Sequence, residues 1–185
     1  MDMVTYYNEN IFTDKMAWCC SNIFEEGAEI KISSSQARLL KSKYGKEVVK
    51  TSSPEKEIRY IILASVIYDI VNSGNVKIFV ICKNKAEVVT YNAMLQKLMI
   101  DSGFSEEKIK IGKRSNSVVA YETLNSTVML ATLGDINDLR AKMSLADSIY
   151  AYIPKNANNK SVSTIASLST NAKKILILTE KEEEK

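Results

Sequence analysis

Apolar residues along the chain fall into two kinds of run. Short, continuous, β-branched runs alternate with longer stretches in which apolar residues recur at helical spacing. Val48-Val49 sits in a strand predicted over 47–51. Residues 55–72 carry Ile58, Ile61, Ile62, Val66, Ile67, Ile70 and Val71 almost all round, the pattern of a buried helix, and Asn72-Ser73-Gly74-Asn75 stops it. Val76-Lys77-Ile78-Phe79-Val80-Ile81 reads as a strand, and 85–101 as an amphipathic helix closed by Ser102-Gly103. A strand at 108–111, a short helix near 117–124, a strand at 127–131 and a helix at 135–143 follow. The chain continues through a strand at 148–153, a polar loop from Asn156 to Lys160, a helix at 161–169 and a strand at 175–178. There is no internal repeat. Strands alternating with helices, several strands apolar throughout, predict an α/β fold: five or six parallel strands with helices on both faces.

Ligands of such sheets bind outside the carboxyl ends of the strands, so the informative loops follow Lys50, Ile81, Ala131, Ile153 and Leu178. A phosphate cradle after the first strand needs glycines whose N–H groups face the anion, followed by Lys and Ser or Thr. The chain instead reads Thr51-Ser52-Ser53-Pro54-Glu55-Lys56-Glu57-Ile58-Arg59-Tyr60, without a glycine. Pro54 removes a donor, and Glu55 and Glu57 put negative charge where phosphate would sit. The plain reading is a strand-to-helix connection whose acids suit a helix N-terminus. Phosphate hydrolysis also needs carboxylates for Mg²⁺ and the attacking water. Tyr150-Ala151-Tyr152-Ile153-Pro154 supplies none, and Glu180 is the one acid at the end of the last strand, continuous with an acidic tail.

Composition narrows the chemistry further. The 185 residues are 45% hydrophobic and 25% charged, enough for one domain with a sizeable core. No histidine is present, which removes Ser-His-Asp and Cys-His devices and histidine-based zinc sites. Adjacent Cys19 and Cys20 with distant Cys82 form neither a disulfide framework nor a four-ligand metal cluster, and reduced thiols are expected. No stretch is long and apolar enough to span a bilayer, and the acidic start is unlike a signal peptide; the expected location is intracellular, cytoplasmic or else nuclear or virus-associated. Net charge is +3, but residues 1–31 carry −4 and the tail 180–185 carries −2, leaving +9 on the body. That suits a polyanion partner, or simply a lysine-rich solvated surface. Twenty-one of the 25 basic residues are Lys, which favours loose backbone contacts over bidentate base reading. A lysine- and asparagine-rich, histidine-free chain suits a virus, a mobile element or a low-GC microbe.

The order and spacing of the segments over residues 32–183 resemble the first RecA-like domain of superfamily 1 helicases, in the up-frameshift and senataxin-like branch. Ser33-Ser34-Ser35-Gln36 is similar to the family's glutamine motif, which reads adenine. Residues 53–60 fall where the phosphate loop belongs, with Pro54 matching a Pro, Arg59 at the Lys position and Tyr60 at the Thr position, but with every glycine replaced. Cys82-Lys83-Asn84-Lys85-Ala86 and Val128-Met129-Leu130-Ala131-Thr132 resemble two segments that contact the nucleic-acid strand. Leu139 to Ile149 looks like the approach to the Asp-Glu box, lost at Tyr152-Ile153. Ala172 to Glu180 resembles the following strand motif, with Glu183 near its Gln. The resemblance implies a three-layer α/β/α RecA-like (P-loop NTPase-like) parallel sheet in a single domain at 32–179, preceded by an N-terminal appendage at 1–31 that bears Tyr6, Tyr7, Trp18 and Phe24, and followed by the acidic tail.

These readings give a catalytically inactive helicase-like domain: no enzyme, no cofactor, no metal, no membrane partner. Gln36, Arg59, Tyr60 and Glu180 would mark a degenerate nucleotide site that is not expected to function. A weak, sequence-independent nucleic-acid-binding module would use Lys83, Asn84, Lys85 and Thr132, extended by Lys113 and Arg114. Tyr121, Tyr150 and Tyr152 could stack bases but are expected in the core. The alternative is a protein–protein adaptor or scaffold subunit of a larger nucleic-acid-processing or viral assembly.

Overall fold

A computed structural model describes residues 45–51, 55–73, 75–101, 110–115, 118–123, 125–153 and 159–180. Seven strands form one sheet: β1 (Gly45–Thr51), β2 (Lys77–Cys82), β3 (Lys110–Ser115), β4 (Val118–Thr123), β5 (Ser126–Thr132), β6 (Ser148–Ile153) and β7 (Lys174–Glu180). The helices are α1 (Glu55–Ser73), α2 (Lys85–Asp101), α3 (Arg140–Met143) and α4 (Asn159–Leu168). Strand order is β1-β7-β6-β2-β5-β4-β3. The first five are mutually parallel, and β4 and β3 extend the sheet as antiparallel neighbours beyond β5.

The apolar runs explain the layering. Successive side chains of a strand point to opposite faces, so a strand covered on both sides must be apolar throughout. In β6, Tyr150 and Tyr152 join one core with Ile58, Ile62, Val66 and Ile70 of α1 and Val88, Tyr91, Leu95 and Met99 of α2. Ile149, Ala151 and Ile153 join a second core on the other face with Met143 of α3 and Ile165 and Leu168 of α4. The result is a three-layer α/β/α sandwich. Tyr150 and Tyr152 are buried, as core residues should be. The Tyr150 hydroxyl donates to Asp69 of α1, and the buried Lys174 ammonium lies 5.2 Å from the centre of the Tyr150 ring.

At the amino ends of the strands, Asp147 binds two neighbours at once. Its carboxylate accepts from the Lys77 N–H at 2.8 Å, and its own N–H donates to the Lys77 carbonyl at 2.8 Å. Its carbonyl accepts from the N–H groups of Lys173 and Lys174 at 2.9 and 3.2 Å. One residue before β6 thereby ties β2 and β7 to it.

Three expectations need correction. Residues 118–123 form β4 rather than a helix: Val-Val-Ala-Tyr-Glu-Thr is β-branched and aromatic, and Thr123 pairs with Ser126 across a two-residue connection. Asn125 supplies the left-handed conformation this tight connection needs, with φ 62°. The strand expected at 108–111 is described from Lys110 and runs on to Ser115. In place of a helix at 135–143 there are successive turns, with only 140–143 α-helical. The parallel sheet therefore has five strands and an antiparallel extension of two. Residues 1–44 and 181–185, with the appendage and most of the acidic tail, lie outside the described residues.

Candidate functional site at the carboxyl ends of the strands

The starts of α1 and α2 meet above the carboxyl end of β2, and four charged side chains join them. Arg59 of α1 donates to the Glu87 carboxylate of α2 at 3.2 Å and lies 3.6 Å from Glu55, one turn earlier on its own helix. Lys83, just after β2, donates to Glu55 and lies 4.0 Å from Glu87. Each cation thus touches both carboxylates in a closed ring of alternating charge and zero net charge. Glu87 is the most enclosed member, its side chain 7% exposed, and Glu55 the least, at 39%. A buried carboxylate is tolerable only because two cations face it.

Local sequence explains the placement of Glu87. Asn84 caps α2: its side-chain oxygen accepts from the Glu87 N–H at 2.9 Å, and its carbonyl accepts the first helical bond from Val88 at 3.2 Å. Asn-x-x-Glu is the spacing of a capping box, but the Glu87 carboxylate turns to Arg59 instead of back to the cap. Close to the ring, the Nε of Arg59 and the hydroxyl of Tyr91 are buried with no hydrogen-bond partner among the described residues. Burial above all pushes the Tyr91 phenol well above its ordinary pKa, with Cys82, Glu87 and Glu55 adding to the rise and Arg59 opposing it. Burial likewise pushes the Cys82 thiol upward, assisted by Glu87.

The sequence-predicted contact residues share this end of the sheet. Cys82 and Thr132 are register partners at the ends of β2 and β5, so Lys83, Asn84 and Lys85 begin beside Thr132. Leu130 pairs with Val119 and Val119 with Lys113, which places Lys113 two strands beyond β5, about 10 Å, toward the same end. Arg114 falls in the register irregularity between Lys113 and Ser115. Three of these groups, Lys83, Asn84 and Thr132, have partners within the chain. Lys83 is in the ion ring, and Asn84 caps α2 while remaining exposed. The Thr132 hydroxyl donates to Asp135 at 2.6 Å, and the same carboxylate accepts from the Thr132 N–H at 3.2 Å. Lys85 is exposed.

Of the expected degenerate nucleotide residues, Arg59 is in the ring. Tyr60 lies on α1, and Glu180 stands opposite Thr51 where β7 meets β1. Gln36 lies outside the described residues. Sequence reading missed Glu55 and Glu87 as ring members; the signal for Glu87 was its capping-box spacing from Asn84. Among the described residues no group of three or more Cys, Asp or Glu is arranged to hold a metal ion, and no helix is long and apolar enough to cross a membrane.

The layers, the strand order and the loops gathered at one end define a RecA-like α/β domain. Among solved structures, the chain is similar to the large terminase ATPase domain of Thermus phage P74-26, with a TM-score of 0.51 at 10% identity, covering 83% of this chain and 67% of that one. An arginine-to-alanine variant of the same domain aligns with a TM-score of 0.48 at 9% identity over the same shares. At these identities the likeness is one of fold. No family model matches the chain, and no curated protein matches it in sequence.

Proposed function

We propose that this RecA-like domain does not hydrolyse nucleotide and binds the backbone of a nucleic acid weakly, without reading sequence. The observation that carries the binding half is the strand register. It sets Lys83, Asn84, Lys85 and Thr132 side by side and brings Lys113 and Arg114 toward the same end of the sheet. Asn84 and Lys85 are exposed at the start of α2, where unpaired helix N–H groups add partial positive charge. The resemblance to the first motor domain of superfamily 1 helicases supports the same face.

The non-hydrolytic half rests on the residues present. Arg59, at the position of the phosphate-binding lysine in that resemblance, is committed to Glu87 and Glu55. The segment from Thr51 to Tyr60 has no glycine, and β6 ends in Tyr152-Ile153 without a carboxylate for a metal. These residues do not fit a Mg²⁺-nucleotide. Calorimetry with Mg²⁺-ATP should show no binding; a micromolar dissociation constant would overturn this half.

With Lys83 engaged within the chain, the proposed track counts three cations: Lys85, which is exposed, and Lys113 and Arg114 by their place on β3. Three neutralised phosphates give a salt slope near −2, or about a 20-fold loss of affinity for a fourfold rise in salt. Affinity should be on the order of micromolar or poorer near physiological salt. Fluorescence anisotropy with a labelled single strand at about 50 and 200 mM salt tests this. The triple variant Lys85→Glu, Lys113→Glu, Arg114→Glu should abolish binding while melting like wild type. No binding by the wild type at low salt would favour the adaptor reading. One observation supports that reading: Ala86, Val89, Ala93 and Ile100 form an outward stripe on α2, with Val89 64% exposed.

A further inference from the structure

The ring of Glu55, Arg59, Lys83 and Glu87 has the composition of an occupied anion site whose anion belongs to the chain itself. Two cations converge from different elements, Arg59 from α1 and Lys83 from the end of β2. They stand at the start of a 19-residue helix, where free N–H groups favour negative charge. The buried Nε of Arg59 and the buried hydroxyl of Tyr91 have no partner among the described residues, so the enclosed side of the site holds more hydrogen-bonding capacity than the carboxylates use. The two acids differ in how firmly they are held. Glu87 is enclosed and fixed by the α2 cap, whereas Glu55 belongs to the first turn of α1 and is far more exposed.

We propose that the Glu55 carboxylate is a built-in occupant that takes the place of an external phosphate-class oxyanion on Lys83 and Arg59, so that the wild-type site is self-blocked. Glu87 balances one positive charge permanently, and Glu55 balances the other. Neutralising Glu55 leaves one uncompensated positive charge, two unpartnered buried polar groups and a helix N-terminus facing the same place. An intramolecular carboxylate also outcompetes a free anion because its effective concentration is high. The proposal deepens the non-hydrolytic reading above and rests on it.

The probe is inorganic pyrophosphate without metal, titrated by calorimetry and by thermal shift against sodium chloride of equal ionic strength. Wild type should show no shift beyond the salt control. Glu55→Gln, which keeps the size of the side chain and is partly solvent-facing, should fold normally and bind pyrophosphate at least tenfold more tightly than wild type. Glu55→Ala serves as a second uncovered variant, and Glu55→Gln with Lys83→Met should return to the wild-type response. Equal pyrophosphate affinity in Glu55→Gln, Glu55→Ala and wild type would overturn the proposal, as would strong binding by wild type or gain that survives Lys83→Met. Failure of the non-hydrolytic reading shows elsewhere, as Mg²⁺-ATP binding by the unmodified chain. A labelled single strand run in parallel separates this site from the backbone track: Lys85→Glu should weaken the strand and leave the pyrophosphate gain of Glu55→Gln intact.

Discussion

Arg59 and Glu87, 28 residues apart, meet at 3.2 Å and join α1 to α2 over the end of β2. The pair is enclosed, so its parts are not separable at low cost. Replacing Glu87 with Ala leaves Arg59 with Glu55 alone and should destabilise the domain by about 3 kcal/mol in urea unfolding. The double change Glu87→Met, Arg59→Met should cost less than Glu87→Ala, because an apolar pair strands no buried charge. A double variant less stable than the single would show that the ring contributes more than charge compensation.

Asn84 acts before any ligand is present, as the cap of α2. Asn84→Ala should cost about 1 kcal/mol of stability, and Asn84→Asp or Asn84→Ser should restore most of it. Circular dichroism melts of the three variants decide the point.

Tyr91 gives a pH signature. Its folded-state pKa is raised above the ordinary 10.0, so the folded state holds the phenolic proton after the unfolded chain has released it. The associated stability is complete below pH 10 and declines as pH rises beyond it. Tyr91→Phe should be as stable as wild type at pH 7, since the hydroxyl has no partner among the described residues, and should lose less stability between about pH 9 and 11. Parallel declines in the two proteins would show that other groups govern alkaline unfolding.

Ile62 and Ile67 of α1 are fully enclosed in the first core. Either changed to Asp should unfold the domain at room temperature, because a lone buried carboxylate costs several kcal/mol against a total of about 5–15. A variant that melts like wild type would show that α1 is not seated on the sheet as described.

Much of this architecture was legible because enclosure on two sides leaves a strong mark. Ser148-Ile149-Tyr150-Ala151-Tyr152-Ile153 has no polar alternation, and a run of that length can be hidden only in the middle of a covered sheet. The helix beginning at Glu55 announced itself in the same way. Val118 to Thr123 misled because it is short and follows the polar stretch Lys113 to Ser117; its pairing partners on β3 and β5 are not contained in local periodicity. The site was half legible. The loops at the strand ends, Lys83 and Thr132 among them, followed from parallel topology alone, and the adjacency of β2 and β5 brings those two residues together. What Lys83 and Thr132 bind within the chain was invisible. Glu55 could be read only as unfavourable to phosphate, and its contact with Lys83 crosses from one βα unit to the next.

Asp147 has a consequence for how this molecule tolerates change. Its four hydrogen bonds hold the amino ends of β2, β6 and β7 level, at the end of the sheet remote from the charged ring. Stagger among these strands is therefore pinned at the foot of the sheet as well as along their ladders, like books squared against a shelf. Exchange of side chains at the top leaves these four bonds untouched. A chain built this way can give up the residues of one chemistry and take on another while its frame keeps the same alignment.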